Sequence, residues 1–427
     1  MRFLFYSHDA VGLGHTRRHL AIAATLTQMC REATILLVSG AEEVIDCGLP
    51  PRIDVLKLPG LRKAANDHYL ARRLHIPASE IRALRSALLQ TAVKSFRPDV
   101  VLVDKHPFGA KGEFRDGLET ARALGGRTAL GLRDILDAPA AVLREWQPYH
   151  MQQRIGQHYD LVLIYGERAV FDPIAEYEFP TAMEERTHFC GYVVGHNDGQ
   201  VGPGSSWTGL TRQPRARPVV LGTAGGGEDG YSLLAAFIRA SRDAAWEAMV
   251  VTGPMTTPRD LKNLRLLATE AKVTLHTFVP SLSDLFGSVD ALVCMGGYNT
   301  LVEAGSQGVP TVCVPRTAPR LEQRLRAESF AKLGLLTLLL PEHLNGLALH
   351  EAIHRTLDGA RQNATRRRGV LNFNGARNAA LHLLALASDK ISVPVLAGES
   401  RLMMPQAQSA AAAFVVAAEK NGGAQRH

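Results

Sequence analysis

Short apolar runs alternate with amphipathic stretches along most of the chain, and no other feature limits its fold so tightly. The first set of runs is Arg2–Tyr6, Thr34–Val38, Ile53–Leu58, Val100–Val103, Thr128–Leu132 and Leu161–Tyr165. After a break come Pro218–Leu221, Ala248–Thr252, Thr274–Thr277, Ala291–Met295 and Thr311–Val314. Most are nearly continuous in Val, Ile, Leu and Ala, the pattern of strands covered on both faces. Such strands lie parallel, and each parallel pair needs a crossover, usually a helix. Stretches such as His19–Met29, Ala78–Phe96 and Pro139–Gln157 supply those crossovers. The expected fold class is α/β, built on doubly wound parallel sheets.

At 427 residues the chain exceeds one ordinary core. The alternation fails over residues 195–217, where Gly, Ser and Pro dominate; this stretch reads as an interdomain linker or a long crossing loop. The expected organisation is a Rossmann-like domain over 1–194, the linker over 195–217, and a second Rossmann-like domain over 218–373. A long basic helix, roughly Asn374–Ser388, closes the regular part within 374–390 and packs back across the first domain, leaving a flexible tail over 391–427. Two such domains leave a cleft bordered by the carboxyl ends of both sheets, where open parallel sheets bind their ligands.

Composition narrows the setting. Hydrophobic residues make up 46% and charged residues 21%, which describes a globular protein. No apolar run approaches the roughly 20 residues of a spanning helix, and the apolar stretch at the N-terminus is too short for a signal peptide. The five cysteines are scattered without C-x-x-C spacing, supporting neither a zinc site nor a disulfide framework, so a cytoplasmic setting is expected. The net charge of +7 is uneven. Arg62, Lys63, Arg72, Arg73, Arg82 and Arg85 crowd residues 62–85 with His68 and His75, and Arg366-Arg367-Arg368 form a second cluster. Either cluster alone is an ordinary solvated face. The sharper reading is attraction to anionic lipid or a phosphorylated acceptor, giving peripheral contact with the membrane. Nucleic acid is disfavoured, because no binding motif accompanies the charge.

Three glycine loops carry the chemistry. The first, Gly12-Leu13-Gly14-His15-Thr16-Arg17-Arg18, follows the first strand and opens a helix. A dinucleotide fingerprint would need glycine at residue 17 and an acid where Val38-Ser39-Gly40 stands, so a dehydrogenase is disfavoured. The loop instead presents His15 at a helix start, where the dipole favours neutral imidazole able to accept a proton; the competing reading is a simple helix cap. Asp104, ending its strand before Lys105-His106, is a candidate to orient His15, or merely caps the strand.

The second loop, Gly222–Glu228, holds three successive glycines, including Gly225 and Gly226, suited to backbone contact with a phosphate or sugar. In the third, the run Ala291–Met295 meets Gly296-Gly297 and restarts as a helix with Glu303 expected in its first turn. Amides at that helix start favour a phosphate, and a carboxylate accepts two ribose hydroxyls. Thr300 and Glu303 also fit the capping box S/T-x-x-E, which gives Glu303 a purely structural alternative.

The second half resembles the carboxyl-terminal domain of GT-B glycosyltransferases. It is most similar to the family that adds N-acetylglucosamine to the lipid-linked peptidoglycan precursor, with a glycosyltransferase family 28-like domain. The residues carrying the resemblance run His276-Thr277-Phe278-Val279-Pro280, Leu285, Val289-Asp290-Ala291, Gly296-Gly297, Thr300, Glu303, Gly305, Gly308-Val309-Pro310, Val314-Pro315 and Gln323. The resemblance implies that the backbone of Phe278 and Val279 reads the base and that Glu303 takes the ribose. Gly296, Gly297, Tyr298, Asn299 and Thr300 would line the diphosphate, and Glu322 and Gln323 would face the sugar. Gly12, Gly14 and Arg17 would belong to the acceptor-side loop, with His15 its histidine.

It further implies inverting, metal-independent transfer from a nucleotide-diphosphate sugar, expected to be a UDP-sugar, to a lipid-linked or saccharide acceptor. Cell-envelope, polysaccharide or glycolipid synthesis would be the setting, and no cofactor is expected. Thr223–Gly227 lacks the family's central polar residue, and Arg316-Thr317-Ala318-Pro319-Arg320 replaces a His-bearing segment, so the donor sugar stays open. Hydrolysis or epimerisation of a nucleotide sugar, and non-catalytic nucleotide-sugar binding, are the alternatives.

Overall fold

The computed structural model describes residues 1–8, 14–41, 49–63, 69–195, 216–279, 281–363 and 370–388. Gly12, Pro280, His68, Arg366–Arg368, most of the expected linker and the expected tail lie outside these described residues. Met1–Lys390 forms one compact unit that contains both sheets.

The first sheet uses β1 (Arg2–Ser7), β2 (Thr34–Ser39), β3 (Ile53–Lys57), β6 (Val100–Asp104), β7 (Arg127–Arg133), β8 (Leu161–Tyr165) and β9 (Thr187–Phe189), with β4 (Leu61–Lys63) and β5 (Tyr69–Ala71) pairing apart as an antiparallel hairpin. Its order is β3-β2-β1-β6-β7-β8-β9, every neighbour parallel. The second sheet uses β10 (Val219–Thr223), β11 (Glu247–Val251), β12 (Thr274–His276), β13 (Ala291–Cys294), β14 (Thr311–Cys313) and β15 (Thr337–Leu338). Its order, β12-β11-β10-β13-β14-β15, is again all parallel.

The alternation of strand side chains explains how each sheet fills its two layers. In the first sheet Phe3, Phe5 and Leu102 face a core shared with Ile22, Ala23 and Leu26 of the helix Gly14–Met29. Leu4, Tyr6, Val101 and Val103 face the opposite core, closed by Leu89 and Val93 of Ala78–Phe96 and Leu118 of Arg115–Ala123. Each fully buried side chain of this kind contributes about 1.5–3 kcal/mol relative to exposure. The closing helix, Gly375–Ser388, inserts Ala379, Ala380 and Leu383 into the first of these cores, against the helix Gly14–Met29. The chain therefore returns to its first sheet.

Some local readings differ. Arg377 is the only Lys or Arg in the closing helix, which is an Ala/Leu face rather than a basic one. The stretch 139–157 is not one helix: Pro148 and His150 in the left-handed region (φ 47) divide it into Pro139–Trp146 and Met151–His158. The basic segment also splits. Arg85 is fully buried against Glu113 at 2.6 Å, so it belongs to the core rather than to the charged surface.

Topology now places the loops. A doubly wound sheet opens a crevice where strand order reverses. In the first sheet that point lies between β1 and β6, so the helix start at His15 and the strand end at Asp104 meet there. In the second it lies between β10 and β13, so the loops at Gly225 and Gly296 meet.

Candidate active site

His15 is the second residue of its helix, and Asp104 is the last residue of the neighbouring strand β6. The His15 Nδ1 lies 3.2 Å from Asp104 Oδ2. Arg18, on the same helix face at i+3, approaches the same oxygen at 2.8 Å and His15 Nδ1 at 3.0 Å. Burial by itself would raise the Asp104 carboxyl, but the Arg18 guanidinium and then His15 outweigh it and hold the group far below its ordinary range. Asp104 is therefore a permanent anion. The His15 tautomer that donates Nδ1–H to it leaves Nε2 with a free lone pair, the requirement for a general base. Arg18 was not singled out in the sequence, although its i+3 spacing from His15 was a usable signal.

Two more imidazoles surround this pair. The His8 ring lies 6.0 Å from that of His15 and 4.3 Å from that of His106. Burial pushes both His8 and His106 well below the usual imidazole range, so both are neutral near pH 7. Between Asp104 and His106 the backbone turns sharply: the His106 N–H donates to Asp104 O at 2.8 Å while Lys105 sits at φ 67. This is a γ-turn with a positive central φ, the rarer and strained form, and a non-glycine residue held there costs about 1–3 kcal/mol.

The second lobe supplies backbone rather than charge. Gly296 adopts φ 83, and a Cβ there would stand 3.0 Å from Cys313 Sγ and 3.4 Å from Gln323 O, so only glycine fits. Gly297 caps the helix Tyr298–Ser306 without a side-chain hydrogen bond. The first amides of that helix thus face outward from a side-chain-free turn. Gly225, at φ 64, brings its loop to Thr300, whose Oγ1 lies 4.0 Å from where a Cβ would stand. Phe278 is 52% exposed and Val279 is buried, both just beyond β12 at the same carboxyl edge.

Glu303 is the sixth residue of its helix, in the second turn rather than the first. Because the helix starts at Tyr298, Thr300 lies inside it and cannot be the N-cap, so the capping-box alternative for Glu303 is excluded. Glu303 is instead half-buried; burial raises its carboxyl, Arg17 of the first lobe pulls it down, and Asp284 pushes it up, leaving it above its ordinary value.

Arg17 and Glu303 therefore sense each other across the cleft, and Asn299 Nδ2 reaches to 3.5 Å from Gly14 O. Other cross-lobe bonds fix the arrangement. Arg326 forks onto Asp134 at 2.7 and 2.9 Å with both groups fully buried. The Tyr298 hydroxyl donates to Tyr165 O at 3.0 Å and accepts from Val193 N–H at 3.2 Å, and the Arg18 guanidinium lies 5.1 Å from its ring centroid. Glu322 pairs with Arg133 of the first lobe. Burial favours its neutral form, yet Arg133, Arg326 and Lys105 hold its carboxyl down at about 2. Tyr298 and Glu322, assigned from sequence to the donor, thus direct their side chains into the lobe interface. Gln323 accepts from Arg316 N–H at 3.3 Å and packs beside Gly296.

Comparison with known proteins agrees with this architecture. Residues 242–383 match the family described as the glycosyltransferase family 28 C-terminal domain. The chain is 31% identical over 199 residues to a demethyllactenocin mycarosyltransferase of Streptomyces fradiae, across 45% of this chain and 39% of that protein's length. Among solved structures it superposes on a UDP-glucose:anthocyanidin 3-O-glucosyltransferase in complex with UDP with a TM-score of 0.63 at 13% identity, covering 91% of this chain and 99% of that one. It superposes on Acinetobacter baumannii MurG with a TM-score of 0.57 at 14% identity, covering 90% and 99%. The chain thus has the GT-B fold, and residues 242–383 are similar to the glycosyltransferase family 28 C-terminal domain.

Proposed function

We propose that the protein is an inverting glycosyltransferase that moves a sugar from a nucleotide diphosphate, a UDP-sugar, to an acceptor hydroxyl. The observation that carries this reading is the meeting of two unlike half-sites across one cleft: the His15–Asp104 pair from the first lobe, and the glycine-walled helix start with Glu303 from the second. In the proposed step the acceptor oxygen attacks the anomeric carbon and its proton passes to His15 Nε2. The bond from that carbon to the diphosphate oxygen breaks, and the electron pair leaves with the nucleotide. Asp104 orients the imidazole and stabilises the imidazolium that forms. The amides after Gly297 take up the leaving charge in the place a metal would otherwise occupy. Glu303 accepts the ribose hydroxyls; each such charge-assisted hydrogen bond contributes about 1.5–3 kcal/mol.

The test is turnover of a UDP-sugar panel with and without acceptor by wild type and His15→Ala. Transfer that falls about 10²–10⁴-fold in the variant at unchanged UDP affinity supports the reading. Rapid UDP release without any acceptor would assign the protein to nucleotide-sugar hydrolysis instead.

The proposed setting is the cytoplasm, in contact with the inner face of the membrane. Its support is the surface around β4 and β5, where exposed Arg62, Arg72 and Arg73 stand among the exposed side chains of Leu70 and Leu74. Among the described residues no helix is long and apolar enough to cross a bilayer. Binding to anionic vesicles that disappears as salt rises is the expected result; no binding at low salt would leave the acceptor to be met in solution.

A further inference from the structure

Arg18 does not pair with Asp104 as an arginine usually pairs with a carboxylate. The usual geometry is a fork, two parallel N–H groups onto two oxygens. Arg18 comes end-on instead: Nη2 donates to Asp104 Oδ2 at 2.8 Å and reaches His15 Nδ1 at 3.0 Å. Two buried atoms of one ion pair are left over. Arg18 Nε, a donor, and Asp104 Oδ1, an acceptor, have no hydrogen-bond partner among the described residues. Leaving such atoms unsatisfied is costly, and a turn of the guanidinium into a fork would let them satisfy each other. The same fork would occupy both carboxylate oxygens and displace His15, which lies 3.2 Å from Oδ2.

Aromatic faces hold the guanidinium where it is. Its carbon lies 5.3 Å from the Tyr165 ring centroid and 5.1 Å from that of Tyr298. Both distances fall inside the reach of about 6 Å for cation–π attraction, and a planar guanidinium stacks on such rings. Both tyrosines are buried. Tyr165 ends β8 of the first lobe, whereas Tyr298 opens the second-lobe helix that follows Gly297. The hydrogen bonds of the Tyr298 hydroxyl to Tyr165 O and from Val193 N–H pin its ring in place. Other titratable groups lie around the pair: His8 beyond β1, His19 on the same helix, and Lys105 and His106 after β6. None of them hydrogen-bonds to Arg18 Nε or Asp104 Oδ1.

We propose that Tyr298 is a positioning residue of the proton acceptor: contributed by the second lobe, its ring keeps Arg18 out of a fork with Asp104 and so keeps that carboxylate on His15. The inference rests on the transferase reading above. It takes the Tyr298 side chain from the donor, where the sequence placed it, and makes the base complete only with both lobes in place.

The experiment follows the His15 imidazole by NMR across pH in the full chain, with calorimetric titration of UDP in parallel. The variants are Tyr298→Leu, Tyr298→Phe, Arg18→Lys and Arg18→Lys with Tyr298→Leu. In Tyr298→Leu the fork forms, His15 loses its anion, and its titration moves to lower pH by about one unit, a tenfold change in proton affinity. UDP affinity stays within about threefold of wild type. Tyr298→Phe, which keeps the ring, moves the titration less than half as far. A lysine at 18 cannot fork, so adding Tyr298→Leu to Arg18→Lys moves nothing further. An unmoved His15 titration in Tyr298→Leu, or an equal movement in the Arg18→Lys background, would overturn the inference. So would loss of UDP binding in Tyr298→Leu and equally in Tyr298→Met, since the side chain would then serve the nucleotide seat. Transfer by His15→Ala at the wild-type rate would sink the transferase reading alone, because the titration reads the Arg18 geometry without any substrate.

Discussion

Two carboxylates, one in each lobe, face the same cleft and are shifted in opposite directions. Asp104 is held far below its ordinary 3.8 by Arg18 and His15 despite its burial. Glu303 is lifted above its ordinary 4.5 because burial outweighs the pull of Arg17. The first lobe thus pairs its buried charge with its own side chains. The second keeps a carboxylate whose burial is not offset, beside a wall of glycine backbone. Under the proposed function, the proton-transfer geometry in one half would be part of the fold, whereas the nucleotide seat in the other would be held at some expense to it.

That contrast can be broken first at Asp104. Asp104→Asn removes the anion between His15 and a buried Arg18. The expected outcome is loss of about 3–5 kcal/mol of stability in chemical denaturation, with turnover lowered along with it. Because the Asp104 carboxyl is depressed in the folded state, its contribution is present above about pH 4 and is lost as pH falls below that. A wild-type acid limb that Asp104→Asn leaves unchanged would contradict the pairing. An effect of similar size, again about 3–5 kcal/mol, is expected when Arg326→Met strands Asp134 in the lobe interface, measured the same way.

Leu383→Ala should cost about 2–5 kcal/mol, seen as a lower midpoint in denaturant, because the closing helix is anchored through that core. Glu303→Gln should behave in the opposite sense. A carboxyl raised in the folded state favours folding below about pH 4.5 and loses that advantage as pH rises through its folded value. At pH 7 the glutamine variant should therefore melt no lower than wild type, and slightly higher, while its UDP affinity falls about tenfold, roughly 1.4 kcal/mol. Thermal melts at pH 4 and pH 7 read the sign; destabilisation at pH 7 would make Glu303 a structural residue.

How much of this was legible follows from distance along the chain. Ala78–Phe96 was readable to its ends because a local apolar period and the following Arg97-Pro98 mark it. The nearness of His15 and Asp104 was legible because one opens the helix that follows the first strand and the other ends the neighbouring parallel strand. Arg326 and Asp134 are 192 residues apart and Arg133 and Glu322 are 189 apart, so no local pattern announces either pair. Glu322 was consequently assigned to the sugar when its charge is spent on the other lobe. The capping-box alternative for Thr300 and Glu303 fails for the reverse reason: a sound local motif is overruled by glycines that start the helix at Tyr298.

The most direct test compares His15→Ala and Glu303→Ala in one assay that reads both UDP affinity and the rate of sugar transfer. The half-sites divide the labour if His15→Ala lowers kcat with UDP affinity intact, while Glu303→Ala weakens UDP at least tenfold. Transfer at the wild-type rate by His15→Ala, or unaltered UDP affinity in Glu303→Ala, would contradict the assignment of base and nucleotide seat to opposite walls of the cleft.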